Sequence, residues 1–334
     1  MKKEFLPGWI LMLVVALIAT SLSKLVEVGG KHPIEAVVIA IILGILLRNL
    51  GLVPKICIPG IKAFEKILIL GIVLIGSSLN FKNFASQGLH ILTIIVVTMT
   101  ISFFVIYILG KVFKLPSALA ILLAVGTTIC GGSAIAVTAP LIKAKEEETS
   151  YAIGTIALWG LIAIIFYPKI AQLLGVSDIN FGVFAGTAIH STPQVVGAGF
   201  IFSDLAGKTA TAVKLVRNCF MVPLAFLIAV WYTRNVLMSR KSQETHINVA
   251  KAFPWFLFGY FIMAGMNTLG YITSEGVKAF NSAGRFLILV GLAGIGLNTV
   301  FSSFKKVGIK PLIVGLFGSL VVAGCSILMI TLLM

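Results

Sequence analysis

Runs of apolar residues, each about long enough to cross a bilayer, follow one another along nearly the whole chain. Charged or Pro-, Gly- and Asn-rich connectors separate them, and the pattern predicts eleven membrane spans. These spans cover residues 9–23, 34–47, 63–80, 90–110, 117–140, 150–168, 181–202, 211–233, 252–271, 285–300 and 311–333. Because backbone groups inside a bilayer must be paired within the protein, we expect an all-α polytopic membrane protein.

The composition supports a membrane protein independently of the span boundaries. Apolar residues make up 59% of the 334 residues and charged residues 11%, with a mean hydropathy of +1.09, outside the range of soluble domains. With the N-terminus inside, cytoplasmic segments hold fifteen of the 26 Lys and Arg residues. The positive-inside rule therefore predicts a cytoplasmic N-terminus and an external C-terminus in the inner (plasma) membrane. The net charge of +15 reflects this topology, so nucleic acid is not an expected partner.

Residue patterns typical of enzymes and metal sites are missing from the sequence. Cys57, Cys130, Cys219 and Cys325 are scattered, without the spacing of a disulfide framework or a metal site. There is no H-E-x-x-H, no G-x-S-x-G, no nucleotide loop and no pair of carboxylates inside a span. We therefore expect neither an enzyme nor a bound metal or cofactor.

Two motifs interrupt the apolar pattern in the middle of spans. Residues 126–140 read G-T-T-I-C-G-G-S-A-I-A-V-T-A-P, and residues 186–199 read G-T-A-I-H-S-T-P-Q-V-V-G-A-G. Irregular backbone at membrane depth is tolerated only where it is buried in protein or lines a cavity. Both spans are predicted to be broken helices whose breaks form a substrate site, as in secondary transporters.

Each break is expected to present a helix N-terminus. A helix that resumes beyond Cys130, at Gly131, Gly132 and Ser133, has free N–H groups and a positive dipole end, and such ends attract anions. The second break offers Ser191 and Thr192 as caps, a proline suited to the first helical position, and the amide of Gln194. The alternative is that the small residues only let helices cross closely.

Basic residues inside the eighth span indicate the sign of the ligand. Lys214 and Arg217 lie on one helix face, and no carboxylate lies well inside any predicted span. Buried cations at membrane depth are rare and face a cavity or a partner, so Arg217 is expected to bind an anion. Lys214 is expected to snorkel to the headgroups, and a snorkelling pair is the alternative reading for both.

Three further polar residues are candidates for the site. His190 precedes the second break and can carry a proton near neutral pH, although a histidine packed by hydrogen bonds is the alternative. Asn80 and Asn298 could coordinate Na⁺ with neutral oxygens, or could cap and cross-link helices. The coupling ion thus stays open between H⁺ and Na⁺.

A short motif occurs twice. Residues 76–80, G-S-S-L-N, end the third span, and residues 294–298, G-I-G-L-N, lie near the end of the tenth, which runs in the opposite direction. This predicts an inverted repeat within one transporter domain over 1–334, with halves of roughly 34–168 and 181–334. One observation does not fit an inverted repeat. The same topology makes the two broken spans run in the same direction, whereas inverted repeats require opposite directions. Either a boundary is wrong or the second repeat is permuted.

The two broken motifs, together with L-G-I-V-L-I-G-S-S-L-N at residues 70–80, resemble the bacterial sulfate exporter family over essentially the whole chain. That family is similar to the bile acid/sodium symporters and the cation/proton antiporters. The resemblance implies a panel domain beside a core domain with two crossing broken helices.

The expected function is that of a secondary transporter, an exporter of a small anion such as sulfate, a related oxyanion or a sulfonate, acting by alternating access. A Na⁺-coupled organic anion symporter and an anion channel are the alternatives. The expected partners are the anion, the lipid bilayer and the coupling ion, and a homodimer is left open.

Overall fold

The computed structural model describes residues 3–25, 36–79, 81–232, 256–304 and 308–334, and its regular structure there is entirely helical. The chain forms two compact units, each built from two stretches. The first unit combines Met1–Ser86 with Trp255–Ser302, and the second combines Gln87–Pro254 with Ser303–Met334.

The first unit is built around two antiparallel helices. Its helices are α1 (Leu6–Leu25), α2 (Ala36–Asn49), α3 (Ile58–Lys62), α4 (Phe64–Ile75), α13 (Phe256–Thr268) and α14 (Ser274–Asn298). Helix α14 packs on α4, with Gly291 against Leu68 and Gly284 against Gly71, so the two helices run in opposite directions. Glycines at this interface let the backbones approach closely. The relative direction of the third and tenth spans therefore agrees with the sequence prediction.

The second unit contains most of the remaining helices. They are α5 (Phe81–Val112), α6 (Ser117–Thr128), α7 (Gly132–Leu141), α8 (Glu146–Leu173), α9 (Asp178–Ala188), α10 (Thr192–Phe202), α11 (Asp204–Cys219), α12 (Met221–Tyr232) and α16 (Ile309–Leu333), while the four-residue α15 (Phe301–Phe304) precedes α16. Both predicted breaks are present, at residues 129–131 and 189–191.

The helices α9 and α10 form a hairpin, not a single broken span. The ring of Phe181, near the start of α9, stacks on the ring of Phe202, the last residue of α10, with centroids 4.2 Å apart. A straight helix rising 1.5 Å per residue would separate these positions by about 30 Å. The prediction that residues 181–202 cross the membrane once is therefore wrong.

The helices α6 and α7 also fold back on each other. An added Cβ at Gly126 in α6 would lie 2.7 Å from the Cδ1 atom of Ile135 in α7. At the other end, Leu119 near the start of α6 and Lys145 just beyond α7 line one cavity. Residues 117–140 were likewise predicted to be one crossing, and they too are a hairpin. About twenty apolar residues can form one full span or two half-spans, and the hydropathy pattern does not distinguish the two.

The two hairpins approach each other from opposite ends of the unit. The first (α6–α7) and the second (α9–α10) are joined by α8, a helix of 28 residues, about 42 Å long. Helix α11 starts at the base of the second hairpin, and α12 continues beyond the tips and packs along α7 of the first. The tips therefore meet near the middle of α8.

Five helices of the described part are long and apolar enough to cross a membrane: Leu6–Leu25, Gly88–Val112, Glu146–Leu173, Ser274–Asn298 and Ile309–Leu333. Shorter apolar helices accompany them, including α6, α7 and α10 of the hairpins. The chain is thus a multi-pass helical membrane protein, as its composition predicts.

Candidate functional site

The tips of the two hairpins touch each other. Gly131, at the first tip, has φ +69° and ψ −129°, a conformation that essentially only glycine adopts. A Cβ at this position would lie 3.1 Å from the Cβ of Ser191 and 3.4 Å from a side-chain carbon of Ile156 in α8. The two breaks therefore lie close together.

Lys214 joins the two tips. Its Nζ donates to the carbonyl oxygen of Ile129 in the first tip (2.7 Å), to that of Ile189 in the second (3.1 Å), and also to that of His190. These three contacts use all three ammonium hydrogens. Because the side chain is fully buried, the prediction that Lys214 snorkels to the membrane surface is wrong.

Arg217 makes a parallel set of contacts one turn further along α11. Its Nε and Nη2 donate to Thr128 O (2.6 Å) and Thr127 O (2.8 Å) of the first hairpin. Its Nη1 donates to Gly186 O (3.2 Å) and Ile189 O (3.0 Å) of the second. Four of its five N–H groups are therefore paired with backbone oxygens, so Arg217 does not need an anion to satisfy its donors.

A physical reason for this arrangement lies at the ends of α6 and α9. The last carbonyl groups of a helix lack partners within the helix and carry a partial negative charge. In a water-poor region they need another donor. Lys214 and Arg217 supply these donors for both helices and hold the two hairpins together.

The opposite helix ends, the N-termini of α7 and α10, lie at the same tips. Gly132 and Ser133 begin α7, and Ser133 is exposed. At the second tip Ser191 and Thr192 are partly exposed. Each α-helix starts with N–H groups that have no partner within the helix, so the exposed hydroxyl groups and these N–H groups form a small polar surface.

Gln194 is a positioning residue for the second tip. Its Oε1 accepts from the backbone N–H of Ser191 (3.2 Å), and its Nε2 donates to Ala157 O in α8 (3.3 Å). The side chain packs directly over Gly160, where any Cβ would collide with it. Its amide is thus engaged with α8, although the sequence had indicated a free donor for the ligand.

His190 is buried in the second tip. Its Nε2 lies 2.8 Å from Ser319 Oγ, whose hydroxyl donates to Gly315 O at 2.8 Å. The serine proton is therefore used, so Nε2 is the donor to Ser319. Within the described residues Nδ1 has no hydrogen-bond partner.

Cys130 packs its sulfur 3.4 Å from that of Met221, in keeping with a packing role.

Asn218 belongs to the site, although its sequence position beside Arg217 was the only indication of this. Its Nδ2 donates to Thr192 Oγ1 (3.1 Å), while its buried Oδ1 has no partner in the part of the chain that is described. An unpaired buried oxygen is rare and marks a place for a water molecule or a ligand.

Two asparagines were also predicted for the site from the repeat. Asn80 lies outside the described residues. Asn298 is the exposed last residue of α14 in the first unit, whereas the tip cluster belongs to the second unit. Across the described ranges no group of three His, Cys, Asp or Glu side chains could hold a metal ion.

Comparison with known proteins identifies the family. The profile of conserved hypothetical protein 698 matches residues 7–315. The chain belongs to the UPF0324 membrane protein family. A UPF0324 membrane protein of Bacillus cereus is 35% identical over 92% of this chain and 89% of its own. One of Clostridium tetani is 32% identical over 98% and 96%, and one of Streptococcus agalactiae 34% identical over 94% and 93%. The names of these UPF0324 relatives state a membrane location and no substrate.

Proposed function

We propose that this UPF0324 protein is a secondary transporter for a small anion, with sulfate, related oxyanions and sulfonates as first candidates. The observation that carries the proposal is the meeting of two hairpin tips around the buried Lys214 and Arg217. Helices that end at a shared site in the middle of the protein are the way many carriers hold ions. We propose transport and not intramembrane catalysis, because the sequence lacks the residue patterns of known enzymes.

The charge at the tips favours an anion. Lys214 and Arg217 contribute two positive charges, while the C-termini of α6 and α9 together offset about one. The N-termini of α7 and α10 add back about one positive charge, so the cluster carries roughly +2. The sequence argument for an anion was that Arg217 is unpaired, and its contacts with carbonyl groups remove that argument. The net positive charge of the cluster now supports an anionic ligand. The anion would lie against the hydroxyl groups of Ser133, Ser191 and Thr192, and a water molecule could donate to the unpaired Asn218 oxygen.

The same contacts argue against a Na⁺-coupled symporter. Backbone carbonyl oxygens at unwound helix ends are the ligands that Na⁺ uses in such carriers. Here the oxygens of Thr127, Thr128, Ile129, Gly186 and Ile189 already accept from Lys214 and Arg217. A bound Na⁺ would also lie next to two fixed positive charges. Proton coupling through His190 is the better reading, and the anion channel is disfavoured because both tips pack closely on α8.

The hairpins support a topology of nine crossings and two re-entrant segments, in place of eleven crossings. In the described chain the crossings are α1, α2, α4, α5, α8, the α11–α12 pair, α13, α14 and α16. With the N-terminus inside, the first hairpin enters from the cytoplasm and the second from outside. Lys143 and Lys145, which eleven crossings would place outside, then lie inside, as the positive-inside rule prefers.

This topology also removes the misfit in the repeat. The hairpins become antiparallel, and so do α8 and the α11–α12 pair that follows the second hairpin. The second repeat is then permuted, with its hairpin before α13, α14 and α16. We propose that the first unit is the panel and the second the core. Since Lys214 and Arg217 join both tips, the hairpins would move as one body, which favours an elevator or rocking motion.

The test is counterflow in proteoliposomes. Vesicles loaded with unlabelled sulfate, sulfite, thiosulfate or taurine should accumulate the same labelled anion transiently and saturably when the purified protein is present. Export as the direction in cells would appear as sensitivity of a deletion strain to that anion. Flux that neither saturates nor shows counterflow would identify a channel, and no flux with any of these anions would refute the proposed substrate class.

A further inference from the structure

A second basic site lies at the base of the first hairpin, away from its tip. A cavity of about 480 Å³ is formed there by the turn between α5 and α6, the start of α8 and the start of α16. Helices α5, α8 and α16 are long and apolar enough to cross a membrane, and an end of each borders the cavity. The cavity therefore lies at the level of one membrane surface.

Three lysines give the cavity its charge. Lys114, Lys145 and Lys310 line it, and all three are exposed. The two carboxylates in its lining already have donors. Glu148 Oε2 accepts from the backbone N–H of Lys145 (2.8 Å), and Glu147 Oε1 accepts from the hydroxyl of Tyr151 (2.5 Å). These neutral donors leave each carboxylate its charge, so three lysines against two glutamates give the lining a net positive charge that an anionic ligand can offset.

The remaining lining has two parts. Leu115, Leu119 and Pro311 provide an apolar wall. Helix α16 begins at Gly308 without a side-chain cap, and its first residues line the same cavity, so its N-terminal end adds positive dipole charge there. A ligand that fits both parts has an anionic head and an apolar body.

We propose that this cavity binds the phosphate headgroup of an anionic phospholipid. The three ammonium groups would surround the phosphate, and the glycerol and upper acyl chain would lie against the apolar wall. Basic pockets between helix ends at a membrane surface recognise lipid headgroups in this way. A free phosphate ion would match the charges and leave the apolar wall unused, so we assign the site to lipid. The proposal is independent of transport at the tips.

Thermal unfolding in neutral detergent tests it. Phosphatidylglycerol should raise the Tm of the wild-type protein, whereas equal amounts of phosphatidylcholine or inorganic phosphate should not. The variant Lys114→Gln/Lys145→Gln/Lys310→Gln should bind phosphatidylglycerol at least about tenfold more weakly, since each lysine near an anionic surface contributes. The control Lys55→Gln/Lys62→Gln/Lys278→Gln removes three exposed lysines elsewhere and the same charge.

The result that overturns the proposal is equal stabilisation of the two triple variants by phosphatidylglycerol. A wild-type response to inorganic phosphate as strong as that to the lipid would also overturn it, because the site would then belong to a free anion. If the cavity variant fails to fold, each single Lys→Gln substitution is compared with Lys278→Gln in the same assay.

Discussion

The ring of Phe181 stacks on the ring of Phe202 at 4.2 Å, which closes the base of the second hairpin. This contact makes residues 181–202 a hairpin. In the proposed topology both hairpins turn back, so every helix after the second keeps its direction while the connectors around α8 change sides.

Labelling of single cysteines tests this arrangement. In a protein whose native cysteines are replaced, Glu146→Cys is at the first residue of α8 and Leu174→Cys follows its last residue, and both positions are exposed. With the N-terminus inside and two re-entrant hairpins, an impermeant maleimide added to intact cells should label Leu174→Cys but not Glu146→Cys. Eleven crossings predict the reverse pattern, and that pattern would disprove the hairpins.

Removal of Lys214 should uncover a cation site. The Lys214→Ala variant leaves Ile129 O and His190 O without this donor, while Ile189 O keeps its bond from Arg217, and each unsatisfied buried acceptor costs about 1–3 kcal/mol. We expect a lower Tm that methylammonium or Na⁺ partly restores, while N-methylglucamine, which is too large, has no effect. Lys278→Ala is the control. An identical response of wild type and Lys214→Ala to these cations would show that the carbonyl groups do not form a cation cage.

Gly131 and Gly132 provide a matched pair at the first tip. Gly131→Ala forces a side chain into a backbone conformation with φ +69°, a strain of about 1–3 kcal/mol, and pushes its Cβ against Ser191. A Cβ at Gly132 meets nothing within 4 Å. We expect Gly131→Ala to lower the Tm and to separate the tips, whereas Gly132→Ala should leave the Tm unchanged. Equal Tm values for the two variants would contradict the apposition of the tips.

Proton coupling through His190 predicts a definite pH dependence. A protonated imidazole would be a third positive charge beside Lys214 and Arg217, and a bound anion offsets it. Anion and proton binding are then mutually favourable, so affinity should rise as pH falls. His190→Gln should flatten this dependence and retain some binding. A flat wild-type profile would exclude this residue as the proton carrier.

Local chemistry in the sequence predicts the two breaks, because glycine, proline and capping residues act within a few positions. The hairpins depend on tertiary contacts such as Phe181 with Phe202, and a hydropathy window does not contain these. Two signals were nevertheless present. Eleven crossings make the two broken spans run in the same direction, which does not fit an inverted repeat. They also place Lys143 and Lys145 outside, against the positive-inside rule.

The role of Lys214 escaped prediction for a related reason. Its spacing from Arg217 places both side chains on one helix face. Carboxylates were the only protein partners considered for this basic pair, and no carboxylate lies well inside a predicted span. The partners are backbone carbonyl groups at the ends of α6 and α9. Counting the unpaired carbonyl groups of each broken helix would have called for two donors at this depth.

Equilibrium binding of a labelled anion to the purified protein tests the central claim most directly. Ser133→Ala removes an exposed hydroxyl at the tip, and Ser150→Ala removes an exposed one near the start of α8, so neither should disturb the fold. For the anion that passes the counterflow screen, we predict saturable binding by wild type and by Ser150→Ala. Binding by Ser133→Ala should be weaker by about tenfold or more, as for the loss of one hydrogen bond to a charged ligand. Unchanged affinity in Ser133→Ala, together with retained binding in Arg217→Gln, would contradict an anion site at the hairpin tips.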